Sequence, residues 1–200
     1  MTRPNAPSGV SAPRAAVERL CRDFQGIVVI DEAYVDFGDD HCMDFPQRFD
    51  NAIVMRTFSK SFSLAGMRIG IAAAQPEIIR EFLKTKDSYN MDACSQAAGL
   101  AAIQDYAHMC ANVEKVRATR ARLRRALLDL GFRVPESQAN FLLAQWRGVP
   151  SAREIFERLR AQRILVRYFD ARRLDDALRI TVGTDAECDA LIGAIRAIIA

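Results

Sequence analysis

The sequence predicts an α/β domain followed by a smaller α+β domain. Three short apolar runs, rich in β-branched residues, occupy Ile27–Ile30, Ala52–Met55 and Ile69–Ala74. Runs of this length are typical of strands that are buried on both faces, as in a parallel sheet. An amphipathic helix is predicted for residues 76–86, directly after the third run. This alternation of strand and helix favours an α/β fold with a mostly parallel sheet.

The pattern changes near residue 111. Apolar residues from Val113 to Leu130 line one face of a predicted long helix, which Gly131 closes. After it the sequence predicts a strand (139–144), a helix (151–162), two strands (164–168 and 178–182) and a final helix (185–199). Ser151 and Glu154 form a predicted capping box at the start of the 151–162 helix. We therefore divide the chain into a first domain, residues 1–110, and a second domain, residues 111–200.

Composition excludes several classes of protein. Half of the 200 residues are hydrophobic and 26% are charged, which excludes a disordered chain. The net charge of +3 is too small to indicate nucleic acid or an anionic membrane as a partner. No apolar run approaches the roughly 18 residues of a membrane helix, no secretory signal opens the sequence, and the five cysteines include no CxxC pair. We therefore expect a cytoplasmic protein with free thiols.

Polar residues follow the first two predicted strands. Asp31 and Tyr34 come after the first strand, and Thr57, Ser59 and Lys60 come after the second. Open α/β sheets bind ligands at the carboxyl ends of adjacent strands, so we expect these side chains to meet there. A lysine just past a buried strand, beside hydroxyl groups, can form a Schiff base with an aldehyde cofactor, because its amine is a compact nucleophile.

The neighbours of this lysine suit the other parts of such a cofactor. Thr57 and Ser59 can donate single hydrogen bonds to a phosphate, and the guanidinium of Arg68 can donate two in a fork. A buried Asp31 would keep a pyridinium nitrogen protonated, which makes the ring an electron sink. Tyr34 can donate to a phenolic oxygen on the same ring.

These residues resemble a known family. The segment SKSFSLAGMRIG (residues 59–70) resembles the lysine motif of class-I/II aminotransferases that use pyridoxal 5'-phosphate (PLP), in the histidinol-phosphate branch. The segment DEAY (31–34) resembles the aspartate and tyrosine of the same family, and Asp31 and Lys60 are 29 residues apart, as in that family. Residues 87–90, 138–141 and 178–183 also resemble that branch. The resemblance covers essentially the whole chain.

The resemblance implies fold type I of the PLP-dependent transferases and a role for each matching residue. Lys60 would hold the cofactor aldehyde and move the substrate proton, Asp31 would pair with the pyridine nitrogen, and Tyr34 with the ring oxygen. The cofactor phosphate would be bound by Thr57, Ser59 and Arg68.

The resemblance also implies the substrates and the assembly. Arg179 would bind a substrate carboxylate and Arg167 a substrate phosphate. The implied reaction is transamination between L-histidinol phosphate and 2-oxoglutarate, in histidine biosynthesis, by an enzyme that is a homodimer.

The sequence departs from the family in two places. The family carries an Asn-Pro-Asn-Asn-Pro-Thr-Gly loop whose last Asn bonds the cofactor ring oxygen, but residues 3–9 read RPNAPSG, so that Ala6 replaces this Asn. Asn5, one position earlier, is the candidate substitute. Family members are also nearly twice as long. We therefore expect a chain that lacks the amino-terminal part of the large domain, and weak or no transaminase activity from this chain alone.

The same residues also allow other interpretations. An aromatic amino acid aminotransferase would use the same cofactor residues and differ only in the role of Arg167. A phosphothreonine decarboxylase of related architecture and a non-catalytic remnant are further alternatives. His41 and Cys42 lack the spacing of metal ligands, so no metal is predicted. The basic run between Lys115 and Arg125 has no interleaved aromatic residues and is interpreted as a solvated helix face.

Overall fold

The computed structural model describes residues 1–200. By its contacts the chain divides into two units: the first contains residues 1–5 and 11–113, and the second contains residues 6–10 and 114–200. The sequence had placed a single boundary between residues 110 and 111. The difference at the amino terminus comes from a long-range contact, in which the Gln138 amide donates to the Gly9 carbonyl at 2.8 Å.

The first unit contains three strands and the helices around them. In chain order its elements are α1 (Arg14–Asp23), β1 (Val28–Asp31), α2 (Phe45–Arg48), β2 (Ala52–Thr57), β3 (Gly70–Ala73), α3 (Pro76–Thr85), α4 (Ala93–Gln104) and the start of α5 (Tyr106–Asp129). The strands form one sheet in the order β1-β2-β3. They correspond to the three apolar runs of the sequence.

Only one of the two strand pairings in this sheet is parallel. β1 and β2 are parallel, with Val28 opposite Ala52, whereas β2 and β3 are antiparallel, with Thr57 opposite Gly70. The expectation of a mostly parallel sheet therefore does not describe β3. The reason is the connection: residues 58–69 contain only turns and the short 3-10 helix Ala65–Met67, whereas the crossover between parallel strands is usually an α-helix.

One face of this sheet is packed and the other is more open. On β1, Val28 and Ile30 are buried, whereas Val29 between them is 37% exposed. The buried side packs against α1 and α2 in a cluster formed by Val17, Cys21, Val28, Ile30, Cys42, Phe45, Ala52 and Val54. Burying each of the larger of these side chains contributes about 1.5–3 kcal/mol. This cluster therefore fixes β1 and β2, whose carboxyl ends carry the predicted site.

The second unit contains a separate antiparallel sheet. Its elements after α5 are β4 (Phe141–Gln145), α6 (Ala152–Ala161), β5 (Arg167–Tyr168), β6 (Ala177–Thr181) and α7 (Asp185–Ile199). The strand order is β4-β6-β5. Its core is formed by buried residues of α5, α6, α7, the sheet and the segment between α5 and β4: Leu123, Leu127, Phe132, Val134, Leu142, Ala144, Ile155, Leu159, Leu178, Ile180, Cys188, Leu191, Ile195 and Ile198.

Capping boxes fix the starts of α6 and α7, the two helices that follow α5. The predicted capping box of Ser151 and Glu154 is confirmed at α6, and Thr184 and Glu187 form a second one at α7 that the sequence analysis had not named. Each box satisfies amide groups at the helix start that would otherwise lack a partner.

The basic run on α5 is engaged within its own unit. Arg120 donates to the Ala139 carbonyl at 2.7 Å, and Arg124 donates to the Val134 carbonyl at 3.2 Å. Arg122 pairs with the carboxylates of Asp185 and Asp189 at the start of α7. These arginines therefore help to hold the second unit together.

No helix of the structure is long and apolar enough to cross a membrane. No group of three or more His, Cys, Asp or Glu side chains is placed to hold a metal ion.

Candidate active site

Lys60 and Tyr34 lie together beyond the carboxyl ends of β1 and β2. The Lys60 Nζ atom is 5.4 Å from the centroid of the Tyr34 ring, which is within the range of a cation–π contact. Both side chains are half-buried. The two residues meet because β1 and β2 are parallel, so that the segments following them leave the sheet at the same edge. The sequence prediction that these residues share one edge is confirmed.

Asp31 is the last residue of β1 and is held by backbone groups on both sides. Its Oδ1 accepts a hydrogen bond from the Ala33 amide at 3.0 Å. Its backbone amide donates to the Met1 carbonyl and its carbonyl accepts from the Arg3 amide, both at 2.8 Å. The strand end that carries this carboxylate is therefore fixed, and one carboxylate oxygen is oriented.

Asn5 follows the segment that pairs with the end of β1. The segment is joined to that strand by a parallel bridge between Thr2 and Asp31. The Asn5 amide nitrogen donates to Thr2 Oγ1 at 3.0 Å. The structure thus places Asn5 in the first unit, at the edge of β1. Its role toward a cofactor remains a prediction.

Thr57 and Ser59 are brought together, as predicted. The Thr57 hydroxyl lies 2.9 Å from Ser59 Oγ, and the Ser59 amide donates to Thr57 Oγ1 at 3.1 Å. The Phe58 amide between them donates to the Ile69 carbonyl at 3.1 Å, which ties this turn to the residue before β3. Two hydroxyl groups and a tight turn thus lie between the end of β2 and Lys60.

Arg68 is exposed and is not bonded to either of these hydroxyl groups. Its Nη1 donates to the Ala65 carbonyl at 2.7 Å, and its backbone has a positive φ of 54°. Such a conformation is uncommon for a residue with a side chain and costs on the order of 1–3 kcal/mol. This left-handed conformation changes the direction of the chain two residues before β3 begins.

A buried charge cluster, which the sequence did not predict, is formed by the neighbours of Asp31 and Thr57 in the chain, Glu32 and Arg56. The Glu32 side chain is fully buried, and its Oε2 accepts from Arg56 Nε at 3.0 Å. Arg56 Nη2 is equally close to that oxygen but lacks hydrogen-bond geometry. Glu32 Oε1 accepts from the Cys42 amide. The sequence did contain a signal for this ion pair, because each of the two apolar strands ends beside a charged residue: Glu32 follows Asp31, and Arg56 precedes Thr57.

The same cluster continues to the residue after Lys60. Arg56 Nη1 lies 3.9 Å from Asp36 Oδ1, and the Ser61 hydroxyl donates to Asp36 Oδ2. Asp36 lies in the 3-10 turn Val35–Phe37, two residues after Tyr34. The segments that carry Tyr34 and Lys60 are thus cross-linked by side chains.

Cys42, beneath this cluster, is not a reactive thiol. Burial raises the pKa of the Cys42 thiol to about 12, with the carboxylate of Glu32 adding to the effect. A thiol of this kind stays protonated at neutral pH and is a poor nucleophile or metal ligand.

The second unit holds the two arginines predicted to bind substrate. Arg167 on β5 is directly opposite Arg179 on β6. The Arg179 guanidinium lies over the Phe141 ring at 5.2 Å and 5.8 Å from the Phe169 ring, and the Arg167 guanidinium is 5.6 Å from the latter. Arg179 Nε is buried and has no hydrogen-bond partner. Two neighbouring cations with an unsatisfied donor are suited to bind an anion.

Comparisons with known proteins match nearly the whole chain. Residues 1–195 match the family described as aminotransferase class I and II. The chain is 47% identical over 198 residues to a histidinol-phosphate aminotransferase of Synechocystis sp., covering 99% of this chain and 56% of that relative. It is 44% identical over 198 residues to a histidinol-phosphate aminotransferase of Microcystis aeruginosa, covering 99% of this chain and 57% of that relative. The chain thus spans about half the length of the curated relatives it matches.

Solved structures show the same fold. The crystal structure of histidinol-phosphate aminotransferase from Sinorhizobium meliloti, in complex with pyridoxal-5'-phosphate, superposes with a TM-score of 0.91 at 28% identity. The match covers 100% of this chain and 56% of that one. The predicted fold, type I of the PLP-dependent transferases, is therefore confirmed. Since the family match extends over nearly all of its residues, the chain belongs to the class I and II aminotransferases.

Proposed function

We propose that this chain carries cofactor- and substrate-binding residues of a PLP-dependent histidinol-phosphate aminotransferase. The enzyme would transfer an amino group between L-histidinol phosphate and 2-oxoglutarate. The observation that supports this most strongly is the half-buried Lys60 amine against the Tyr34 ring, at the shared carboxyl edge of β1 and β2. The names of the relatives, at 44–47% identity, support the choice of substrate.

The residues of the first unit fit the cofactor. The Lys60 amine is the nucleophile for its aldehyde, and two adjacent hydroxyls, those of Thr57 and Ser59, are suited to its phosphate. The Asp31 carboxylate, already oriented by the Ala33 amide, suits a protonated ring nitrogen. When bound, PLP supplies the electron sink that stabilises negative charge at the substrate carbon.

Each side chain then has a defined task. Lys60 Nζ would accept a proton from the substrate carbon and return it later in the reaction. The Asp31 carboxylate would bind the protonated ring nitrogen, and the Tyr34 hydroxyl would donate to the ring oxygen. Arg68, which now bonds the Ala65 carbonyl, would bind the cofactor phosphate in its place. Asn5 would take the ring-oxygen role that Ala6, which has no polar side chain, cannot fill.

Two arginines of the second unit support the choice of substrates. Arg179 has a buried, unsatisfied Nε, which suits a carboxylate of glutamate or 2-oxoglutarate. Arg167 is exposed on the adjacent strand and suits the phosphate of histidinol phosphate. An aromatic aminotransferase has no phosphate for Arg167 to bind, so this residue separates the two substrate classes.

The proposal concerns the whole enzyme, because the chain spans about half of the curated relatives. It includes a small-molecule amino donor, a 2-oxo acid acceptor and assembly as a homodimer.

Trapping of the cofactor tests the proposal. The 200-residue chain is incubated with PLP, reduced with borohydride and mapped by peptide mass. The sequence has four lysines, Lys60, Lys84, Lys86 and Lys115, so the label can be assigned to each. We expect one adduct at Lys60, which disappears in Lys60→Ala and persists in the matched control Lys84→Ala. Equal labelling of all four lysines would contradict the proposal.

Substrate choice is tested separately on PLP-loaded protein. We expect histidinol phosphate to change the visible absorption spectrum at lower concentration than phenylalanine does, and Arg167→Gln to remove this preference. An unchanged preference in that variant would favour the aromatic aminotransferase.

A further inference from the structure

Asp36 links the segment that carries Tyr34 to the segment that carries Lys60. The Ser61 hydroxyl, adjacent to Lys60 in the chain, donates to Asp36 Oδ2. Ser61 is only 7% exposed and the Asp36 side chain 22%, so this bond is partly shielded from water. Because Asp36 lies in the short 3-10 turn that follows Tyr34, the bond joins the two segments close to the point where their side chains meet.

Arg56 and Glu32 anchor the Asp36 carboxylate in turn. Arg56 lies between two carboxylates: its Nε is 3.0 Å from Glu32 Oε2 and its Nη1 is 3.9 Å from Asp36 Oδ1. Glu32 is fully buried, directly after Asp31, and is held by the Cys42 amide. Glu32 thus holds the Arg56 guanidinium near the end of β2, and Arg56 in turn fixes the Asp36 carboxylate in the 3-10 turn.

Lys60 needs this support because its own segment has no regular structure. Between the end of β2 at Thr57 and the 3-10 helix Ala65–Met67 the chain forms only turns. On one side of Lys60 the segment is fixed by Thr57 and Ser59, and on the other side by Ser61. Ser61 differs from those two hydroxyls, because its proton is given to a carboxylate and is therefore not available to a phosphate.

We propose that Asp36 and Ser61 are positioning residues, which hold the Lys60 amine against Tyr34 at the end of the sheet. This inference rests on the proposed function, in which the Lys60 amine is the reacting group. The expected effect is large for such a small contact, since a displacement of about 1 Å in a reacting group can reduce a rate on the order of a hundredfold.

The test uses variants that remove or keep the hydroxyl–carboxylate bond. Ser61→Ala and Asp36→Ala each remove it, whereas Asp36→Asn keeps an oxygen acceptor for Ser61. Thr119→Ala is the matched control, because Thr119 also donates a hydroxyl proton to an aspartate, Asp185, at 2.9 Å in the second unit. The double variant Asp36→Ala/Ser61→Ala shows whether the two side chains act through one interaction.

Backbone hydrogen exchange of residues 57–64 is measured first, on the chain without PLP. We expect exchange about tenfold faster in Ser61→Ala and Asp36→Ala, the factor given by the loss of one hydrogen bond. Asp36→Asn, which keeps the bond to Ser61 but loses the ion pair with Arg56, exchanges more slowly than Asp36→Ala, and the double variant is no faster than Asp36→Ala. Thr119→Ala leaves residues 57–64 unchanged.

Borohydride trapping with PLP is the second readout. The share of the label at Lys60, relative to Lys84, Lys86 and Lys115, falls several-fold in Ser61→Ala and falls less in Asp36→Asn. Wild-type exchange and labelling in Ser61→Ala would overturn the positioning role. If the wild-type chain itself shows no preference for Lys60, the proposed function fails, and the exchange data still decide whether Asp36 and Ser61 fix the segment.

Discussion

Arg167 and Arg179 lie directly opposite each other on adjacent antiparallel strands, and both guanidinium groups contact the ring of Phe169. Like charges in this position destabilise a sheet by about 0.2–1 kcal/mol. The buried Nε of Arg179, which has no partner, adds a further cost. An anion bound between the Arg167 and Arg179 side chains should therefore stabilise this unit, as expected of a binding site.

Inorganic phosphate should therefore stabilise the second unit. At ten times its dissociation constant a ligand adds about 1.4 kcal/mol, which raises the melting temperature by roughly 2–6 °C for a protein of this size. The measurement is thermal unfolding in phosphate against chloride at equal ionic strength. The double variant Arg167→Gln/Arg179→Leu should abolish the shift, whereas Arg153→Gln, which loses an ion pair with Asp170 elsewhere in this unit, should retain it. The same shift in the double variant would show that phosphate acts elsewhere.

Removal of one partner from the buried ion pair should destabilise the first unit strongly. In Arg56→Met the fully buried Glu32 carboxylate loses its cation, and we expect a loss of about 3–5 kcal/mol in the free energy of unfolding. Urea unfolding measures this loss. The double variant Glu32→Leu/Arg56→Met should recover part of it, because no charge then remains buried.

A matched control for this variant is Arg80→Met. The ion pair between Arg80 and Glu77 is well exposed to solvent, so its removal should not change the urea midpoint measurably. Equal destabilisation by both variants would contradict the special role of the Glu32–Arg56 pair.

Asp44 gives the first unit a stability that depends on pH. A hydrogen bond from Arg14 is the main reason why the pKa of Asp44 is lowered to about 2 from 3.8. A carboxylate with a lowered pKa stabilises the folded state above its unfolded pKa, and this contribution is lost as the pH falls from about 4 to about 2. Because Asp44 is 39% exposed, solvent screening reduces the effect, and we expect about 1 kcal/mol for Asp44→Asn at pH 7.

The comparison is made by urea unfolding at several pH values. The difference between wild type and Asp44→Asn should narrow between pH 4 and pH 2, whereas Asp50→Asn, at an exposed position, should match wild type throughout. A constant difference across this range would mean that Asp44 acts by packing and not by charge.

The cysteines should divide into two classes toward alkylation. Cys94 and Cys110 are exposed, whereas Cys21, Cys42 and Cys188 are buried, and burial raises the pKa of each of these three thiols. Iodoacetamide at pH 8 should therefore add two groups to the folded chain and five to the chain in urea. Mass spectrometry counts them. A third rapid addition under native conditions would show that one of the two cores is open.

The cofactor edge was predictable because its main features are local. An apolar run identifies each strand, and the residue after the run identifies the strand end, so that the sequence alone predicts Lys60 near Tyr34, where the structure has it. Partner choice is not local. The bond between Ser61 and Asp36 depends on how two turns approach each other, and no pattern in either segment specifies it.

The elements that the sequence analysis missed have the same explanation. α4, with the sequence ACSQAAGLAAIQ, is rich in alanine and has no clear apolar stripe, so periodicity did not reveal it. The antiparallel direction of β3 depends on a connection without a helix. The pairing of Gly9 with Gln138 joins residues that are far apart in the chain, which local patterns cannot predict.

Residues 6–10 determine whether proteolysis can separate the two units of this chain. They belong to the second unit although the chain on both sides of them belongs to the first. Gly9 has a φ of +74°, and a Cβ there would meet Ser137 Oγ at 2.2 Å, so only glycine fits this contact. No single peptide-bond cleavage can therefore release either unit whole. A protease that cuts α5 between residues 113 and 114 would leave five residues of the second unit on the amino-terminal piece, and the two products would stay joined through that tether.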